Sequence, residues 1–223
     1  MFASNVVATS QRLLDPGYLK SRAEGISNTV ANITPTALGA SADTVYLSTA
    51  DADGMMVSMI QSNYRGFGSG IVPDGTGISL QNRGSGFTLE AGHPNQVAGG
   101  KRPYHTIIPG FVMANNQPLM SFGVMGGHMQ AQGHLQMMVR IVLHGQNPQS
   151  ACDAPRWYLQ EDGSVCLEAG FSQAVREQLV HLGHPISAAS DAHLFGGAQL
   201  IYKLDSGYCA ASDHRKEGHA GGF

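Results

Sequence analysis

The chain has 223 residues, 42% of them hydrophobic and 13% charged, and a net charge of −3. This composition excludes a disordered chain. It also gives no electrostatic case for nucleic acid or an anionic membrane as partner. The length suffices for a well-buried core, and 29 glycines fit a β-rich chain with tight turns.

In chain order, residues 1–43 read as a tail. Asp15-Pro16 starts a short helix, with Asp15 as its cap and Pro16 at the first helical position. Tyr18, Leu19, Ala23 and Ile26 share its apolar side. The N-terminus lacks the basic start and long apolar core of a signal peptide. Residues 34–43 are small, polar and irregular. Thr44 then opens a strand in which Val45, Leu47 and Thr49 alternate with Tyr46, Ser48 and Ala50. Asp53-Gly54 turns the chain into a second strand, which ends in a glycine-rich bend at Asn63-Tyr64-Arg65-Gly66. A further strand is expected at residues 77–81.

Residues 111–113 and 119–125 read as strands joined by a turn at Asn115-Asn116-Gln117-Pro118. Gly126-Gly127 follows, then a helix through Leu135, Met138, Val139, Ile141 and Val142. Met137 and Met138 read as fillers of core gaps. Residues 152–157 read as a loop leading to a strand at 164–168. Phe171, Val175, Leu179 and Leu182 mark one face of an amphipathic helix, which Gly183-His184-Pro185 ends. Residues 198–202 and 208–211 pair as a hairpin across Asp205-Ser206-Gly207. No stretch of about 18 apolar residues offers a membrane span. Cys152, Cys166 and Cys209 form neither a disulfide framework nor a zinc pattern. His128 and His134 lack an acidic partner at metal-binding spacing.

Three places carry chemistry. Thr44 sits where an irregular segment meets a strand, the arrangement an autoproteolytic N-terminal nucleophile needs. Once the bond before it is cut, its own α-amine can act as the nearby base. The plain alternative is a β-branched residue at a favourable strand start. Gly126-Gly127 ahead of a helix leaves amide N–H groups for an anion, or simply turns the chain; Gly196-Gly197 offers the same two readings. Arg65 and Arg83 are the only positive charges between Thr44 and Lys101. Facing a pocket, their planar forks suit a carboxylate; otherwise they are solvated.

Seven motifs occur in one order: Thr44-Val45-Tyr46-Leu47-Ser48, Asp51-Ala52-Asp53-Gly54, Gly66-Phe67-Gly68-Ser69-Gly70-Ile71-Val72-Pro73, Gly75-Thr76-Gly77-Ile78, Leu80-Gln81-Asn82, Lys101-Arg102-Pro103 and Met125-Gly126-Gly127. From Thr44 to the C-terminus the chain thereby resembles the small subunit of the γ-glutamyltransferase family, with Ala211-Ser212-Asp213-His214-Arg215 similar to that family's closing segment. The resemblance implies an α+β fold, the αββα sandwich of N-terminal-nucleophile hydrolases, here in part. It implies a proenzyme cut between Asp43 and Thr44, residues 1–43 being the end of the large subunit and 44–223 the small catalytic subunit. Thr44 is then the nucleophile, and Gly126 and Gly127 hold the oxyanion. Ser62 takes the place of a hydroxyl that contacts the nucleophile; the alternative is an exposed strand serine. The implied partners are a small amide substrate and the large subunit of the same proenzyme, with no cofactor. Compartment stays open between cytoplasm and periplasm.

The chain departs from the family where the amino acid is held. The family's Asn-x-Met-Asp-Asp-Phe stretch, whose second acid holds the substrate ammonium, reads Asn82-Arg83-Gly84-Ser85-Gly86-Phe87. The serine pair that holds the α-carboxylate is replaced by His105-Thr106. An ammonium buried there lacks its counter-charge. Arg83, His105 and Thr106 are therefore the candidate substrate-binding residues, although His105 also reads as a structural histidine. The expected activity is amide hydrolysis or acyl transfer from a γ-glutamyl-like amide. The alternatives are an acylase-type hydrolase without γ-glutamyl specificity, of the cephalosporin or oxamate kind, and an inactive piece that only assembles with a large subunit.

Overall fold

A computed structural model describes residues 14–24, 26, 43–189 and 192–223. Helix α1 (Pro16–Ala23) forms as its cap predicts, with Asp15 Oδ1 accepting the Tyr18 N–H at 2.7 Å. Its expected apolar side is not covered, since Leu19 and Ile26 are exposed. Most of the expected tail, including residues 34–42, lies outside the described residues.

Strands β1 (Asp43–Ala50) and β2 (Met56–Tyr64) pair antiparallel. Asp51 Oδ1 accepts the N–H groups of Asp53 and Met55 at 3.0 and 2.9 Å, which closes the Asp53-Gly54 turn. Strands β3 (Gly110–Ala114) and β4 (Gln117–Met125) are joined by Asn115 and Asn116, both left-handed at φ 50° and 62°. That is the geometry a two-residue hairpin turn demands. Strands β8 (Gly197–Lys203) and β9 (Tyr208–Ser212) form the expected last hairpin, and the second sheet runs β3-β4-β8-β9.

β4 shows why the layers stack as they do, because successive side chains point to opposite faces. Ser121 and Gly123 face the β1–β2 hairpin. Ser48 and Ser121 hydroxyls bond at 2.5 Å, and the Tyr46 ring occupies the space a side chain at Gly123 would fill. Met120, Phe122 and Val124 face the other way. They pack with Met137, Ile141, Ala151, Cys152, Ala198, Leu200 and Ala211 to form the main core. Helix α2 (Met129–Met138) supplies Met137, continues as a wider turn over Val139–Leu143, and approaches Val124 closely because Gly133 has no side chain. Met137 fills the core as expected, while Leu135 and Val142 stay exposed.

The result is hairpin, sheet and helix layers, three of the four in an αββα sandwich. The outer face of the hairpin carries exposed Val45, Leu47, Val57 and Met59.

Beyond α2, two expectations are corrected. Residues 152–153 are not loop but the end of helix α3 (Pro148–Asp153), capped by Asn147 Oδ1, which accepts from Gln149 and Ser150. Asn147-Pro148 was the sequence signal for it. Residues 77–81 are not a strand. Leu80 exchanges single backbone bonds with Ser69 and Ile71, a loop contact rather than a ladder.

A small third sheet contains β5 (Trp157–Leu159), β6 (Val165–Leu167) and β7 (Ile186–Ser187). Gln132 and Gln136 of α2 bond the free edge of β5 through their amides, at 2.7–3.1 Å. Helix α4 (Gln173–His181) forms with Ser172 as its cap, but none of its residues is fully buried. All three cysteines are free.

Candidate active site

Thr44 lies at a defect in the first hairpin. Asp43 pairs with Tyr64 but Thr44 pairs with Ser62, so Asn63 is an extra residue in β2. Such a bulge bends a strand and re-aims its side chains. Tyr64 absorbs the bend at φ 79°, a strained conformation for a bulky residue. The Thr44 hydroxyl donates to Ser62 Oγ at 3.0 Å, and Ser62 Oγ also accepts the Tyr64 N–H at 2.9 Å. Of its two sequence readings, Ser62 therefore takes the contact with Thr44.

The stacking of β1 on β4 brings Thr44 toward the end of β4. Ser48 meets Ser121 and Tyr46 meets Gly123. Two residues further along the same faces, Thr44 comes opposite Met125, and both line one cleft. Gly126 and Gly127 follow directly, at φ 131° and 59°. Their carbonyls accept the first N–H groups of α2 at 3.1 Å. Neither glycine's own N–H has a bonding partner among the described residues. This leaves two adjacent donors at the end of β4.

Arg83, Thr106 and His105 form a second group. Arg83 opens a 3-10 turn (Arg83–Gly86) and is only 5% exposed. Its Nη1 donates to Thr106 Oγ1 at 3.0 Å, and its guanidinium lies over the Tyr64 ring at 5.0 Å. Tyr64 is the residue paired with Asp43, so this group adjoins the Thr44 end of the hairpin. Arg83 Nη2 is buried without a partner, and no acid pairs with Arg83 among the described residues. His105 is exposed. Its Nδ1 accepts the Ile107 N–H at 3.2 Å, so its proton sits on Nε2. Partial burial, then the charges of Arg83 and Arg102, hold its pKa below the usual histidine range.

Two clefts flank Thr44. One of about 400 Å³ runs between β1, β8 and the terminal residues 216–221. The other, of about 530 Å³, lies against Gln61, Ser62, Asn63, Ile78 and Ser79. Arg83, His105, Thr106, Gly126 and Gly127 line neither cleft, and of the predicted residues Ser62 is the one that hydrogen-bonds Thr44.

Sequence reasoning missed the clamp behind the glycine turn. Arg156 is 1% exposed and donates to Phe195 O at 3.0 Å, Cys152 O at 3.2 Å and Asp213 Oδ2 at 2.5 Å. Asp213 also accepts the Ala198 N–H at 2.8 Å, and Arg215 bridges Asp213 to Glu168. Phe195 leads into Gly196, whose Cα sits where a side chain on Gly126 would go. The clamp thus braces the turn that carries Gly126, and Gly196, which the sequence left open between an anion cradle and a plain turn, packs against Gly126. His134 Nε2 adds a second brace by accepting the Val124 N–H at 3.1 Å; burial pushes its pKa down to about 4. The Cys152 thiol, pushed up to about 12 chiefly by burial, is not a nucleophile. Asp213 and Arg215 were visible as a motif, but nothing local ties Arg156 to them.

Comparison with known proteins gives a consistent result. The family model described as Gamma-glutamyltranspeptidase matches residues 1–223. The oxamate amidohydrolase proenzyme of Klebsiella pneumoniae is 36% identical over 221 residues, covering 96% of this chain and 42% of that protein. The glutathione hydrolase-like YwrD proenzyme of Bacillus subtilis is 35% identical over 220 residues, with the same coverage of 96% and 42%. The crystal structure of cephalosporin acylase from Bacillus halodurans superposes with a TM-score of 0.83 at 43% identity, over 97% of this chain and 40% of that one. The chain therefore spans less than half the length of these relatives.

Proposed function

Because this chain belongs to the gamma-glutamyltranspeptidase family, we propose that it is cut between Asp43 and Thr44 and that Thr44 then cleaves amides through an acyl ester. Its α+β sandwich is the partial N-terminal-nucleophile hydrolase fold that the sequence motifs imply. One observation carries the proposal: the Thr44 hydroxyl, bonded to Ser62 at a strained bulge, lies opposite the residue that precedes two unpartnered glycine N–H groups.

In the proposed reaction Thr44 Oγ attacks the amide carbonyl while its proton passes to the freed α-amine. The Gly126 and Gly127 N–H groups hold the oxyanion, and each such donor is worth about 10²–10³ in rate. The C–N bond breaks and the amine leaves with the proton. Water then attacks the ester, releasing the acid and restoring Thr44; an amine in place of water gives transfer.

A second reading narrows the first. Gly86 stands where the family's ammonium-binding acid belongs, which favours an acylase-type hydrolase without γ-glutamyl specificity. The large subunit is the proposed partner, since the apolar outer face of the hairpin is exposed on the side where the fourth layer of such a sandwich packs. Domain limits of 1–43 and 44–223 follow from the proposed cut.

Intact mass after incubation at neutral pH tests the reading. Two pieces meeting at Asp43/Thr44 are expected, with neither pieces nor amide cleavage in Thr44→Ala. Cleavage at that bond in Thr44→Ala overturns the nucleophile assignment. A wild-type chain that stays whole even beside a full large subunit supports a purely structural role.

A further inference from the structure

We infer that Gln130 is a positioning residue for the glycine turn: its side-chain amide fastens the first turn of α2 to the backbone at Ile108 and so holds the Gly126-Gly127 peptide in its orientation. This inference rests on the reading of Gly126 and Gly127 as oxyanion donors and adds a residue that acts through them.

The turn is oriented through its carbonyls. A peptide unit is planar, so fixing a C=O also fixes the N–H of the next residue. The Met129 N–H holds Gly126 O at 3.1 Å, which sets the direction of the Gly127 N–H. The Gln130 N–H holds Gly127 O at 3.1 Å, which sets the plane after it. No side chain caps the start of α2. Gln130 is 0% exposed, and its Oε1 accepts the Ile108 N–H at 3.0 Å. Residues 101–109 belong to no helix or strand, so no ladder holds Ile108 ahead of β3. The Tyr104 ring of the same stretch stacks on the His128 ring, with centroids 5.8 Å and planes 4° apart. The stretch therefore meets the first turn of α2 at two points, and Gln130 supplies the hydrogen-bonded one. Its Nε2 is buried without a partner, a costly state for an amide. A methionine of similar shape would avoid that cost but would strand the Ile108 N–H. The oxygen is thus the working end of Gln130. Gln132 and Gln136 differ: each amide both accepts from and donates to one residue of β5, Leu159 and Trp157 respectively, and both lie further along α2. They fasten the helix without touching the turn.

The test uses the full chain with native circular dichroism checked for every variant, and reads both hydrogen exchange and the cleavage of glutaryl p-nitroanilide. Gln130→Met should speed exchange at the Met129 and Gln130-position amides. It should lower kcat by about 10- to 100-fold with KM within about twofold, because oxyanion donors act in the transition state. Gln130→Glu keeps an oxygen that accepts from Ile108 in either protonation state and should stay within about threefold of wild-type kcat. Ile108→Pro removes the same bond from its other end, and the double variant with Gln130→Met should lose no more than the worse single one. Gln136→Met controls for loosening of α2 in general and should leave kcat and the exchange of the turn unchanged. Wild-type exchange at the turn in Gln130→Met overturns the inference. So does a Gln130→Glu loss as deep as that of methionine, an additive loss in the double variant, or an equal kcat loss in Gln136→Met. Exchange that depends on Gln130 while no chain, wild type included, cleaves the anilide sinks the reading of Thr44 instead and leaves the tie of Gln130 to the turn standing.

Discussion

Arg156 and Arg83 are both almost wholly buried, at 1% and 5% exposure, yet their surroundings are opposite. Arg156 has a carboxylate at 2.5 Å and two carbonyls within 3.2 Å. Its region ties helix α3, the turn before β8 and the residues after β9 into one network. Arg83 has a threonine hydroxyl, an aromatic face and an unused nitrogen. One region is finished by a carboxylate that the fold supplies; the other is left unfinished, with no counter-charge among the described residues. Each arginine keeps one buried nitrogen without a partner, Nε of Arg156 and Nη2 of Arg83, so the counter-charge is what tells them apart.

The largest effect should separate the two regions directly. Asp213→Ala strands a buried guanidinium and should cost about 3–5 kcal/mol of stability. Arg83→Met removes a charge that lacks a partner and should stay within about 1 kcal/mol of wild type. Urea denaturation of both variants checks this, and a large loss in Arg83→Met would make the two arginines equivalent structural elements.

His134 sharpens the picture on the finished side. Its ring must be neutral to accept the Val124 N–H, and its pKa is pushed down to about 4 by burial. An unfolded histidine titrates near ~6.5. The folded state thus binds fewer protons, and stability is full above ~6.5 and falls as pH drops toward about 4, by up to about 3 kcal/mol. Denaturation midpoints at pH 7 and 4.5 should show that fall in wild type and a smaller one in His134→Gln.

Gly196→Ala probes the joint between the finished side and the glycine turn. Gly196 is left-handed at φ 65°, and a Cβ there runs into the Met125 carbonyl. The cost should be about 1–3 kcal/mol, with amide cleavage impaired beyond the loss of folded chain. Activity that tracks folded fraction alone would detach the clamp from the site.

The smallest stability change belongs to the unfinished side. Ser62→Ala removes the acceptor of the Thr44 hydroxyl and should cost about 0.5–1.5 kcal/mol. The rate of cutting at Asp43/Thr44, followed by mass, should fall more than stability does.

Much of the fold was legible because its signals are local. Asp53-Gly54, Asn115-Asn116 and Asp205-Ser206-Gly207 marked three hairpins, and Gly126-Gly127 marked the start of α2. Residues 77–81 misled, since their alternation resembles a strand but no neighbour supplies a ladder. Asn147-Pro148 was a readable helix start that was passed over. Among the candidate residues, the family resemblance already implies the contact of Ser62 with Thr44, whereas nothing in the sequence says that Arg83 touches Thr106.

By itself the sequence determined the hairpins, the glycine turn, the order of the motifs and the family they belong to, because turn chemistry and period-two patterns act over a few residues. Tertiary structure alone decided that β1 lies on β4 so that Thr44 and Met125 line one cleft, and that Arg83 meets Thr106 across 23 residues. It also decided that Arg156 finds Asp213 across 57 residues while Arg83 finds no acid. Those contacts depend on how layers stack, and on which side chains the burial of one layer leaves facing another. Spacing along the chain does not encode that.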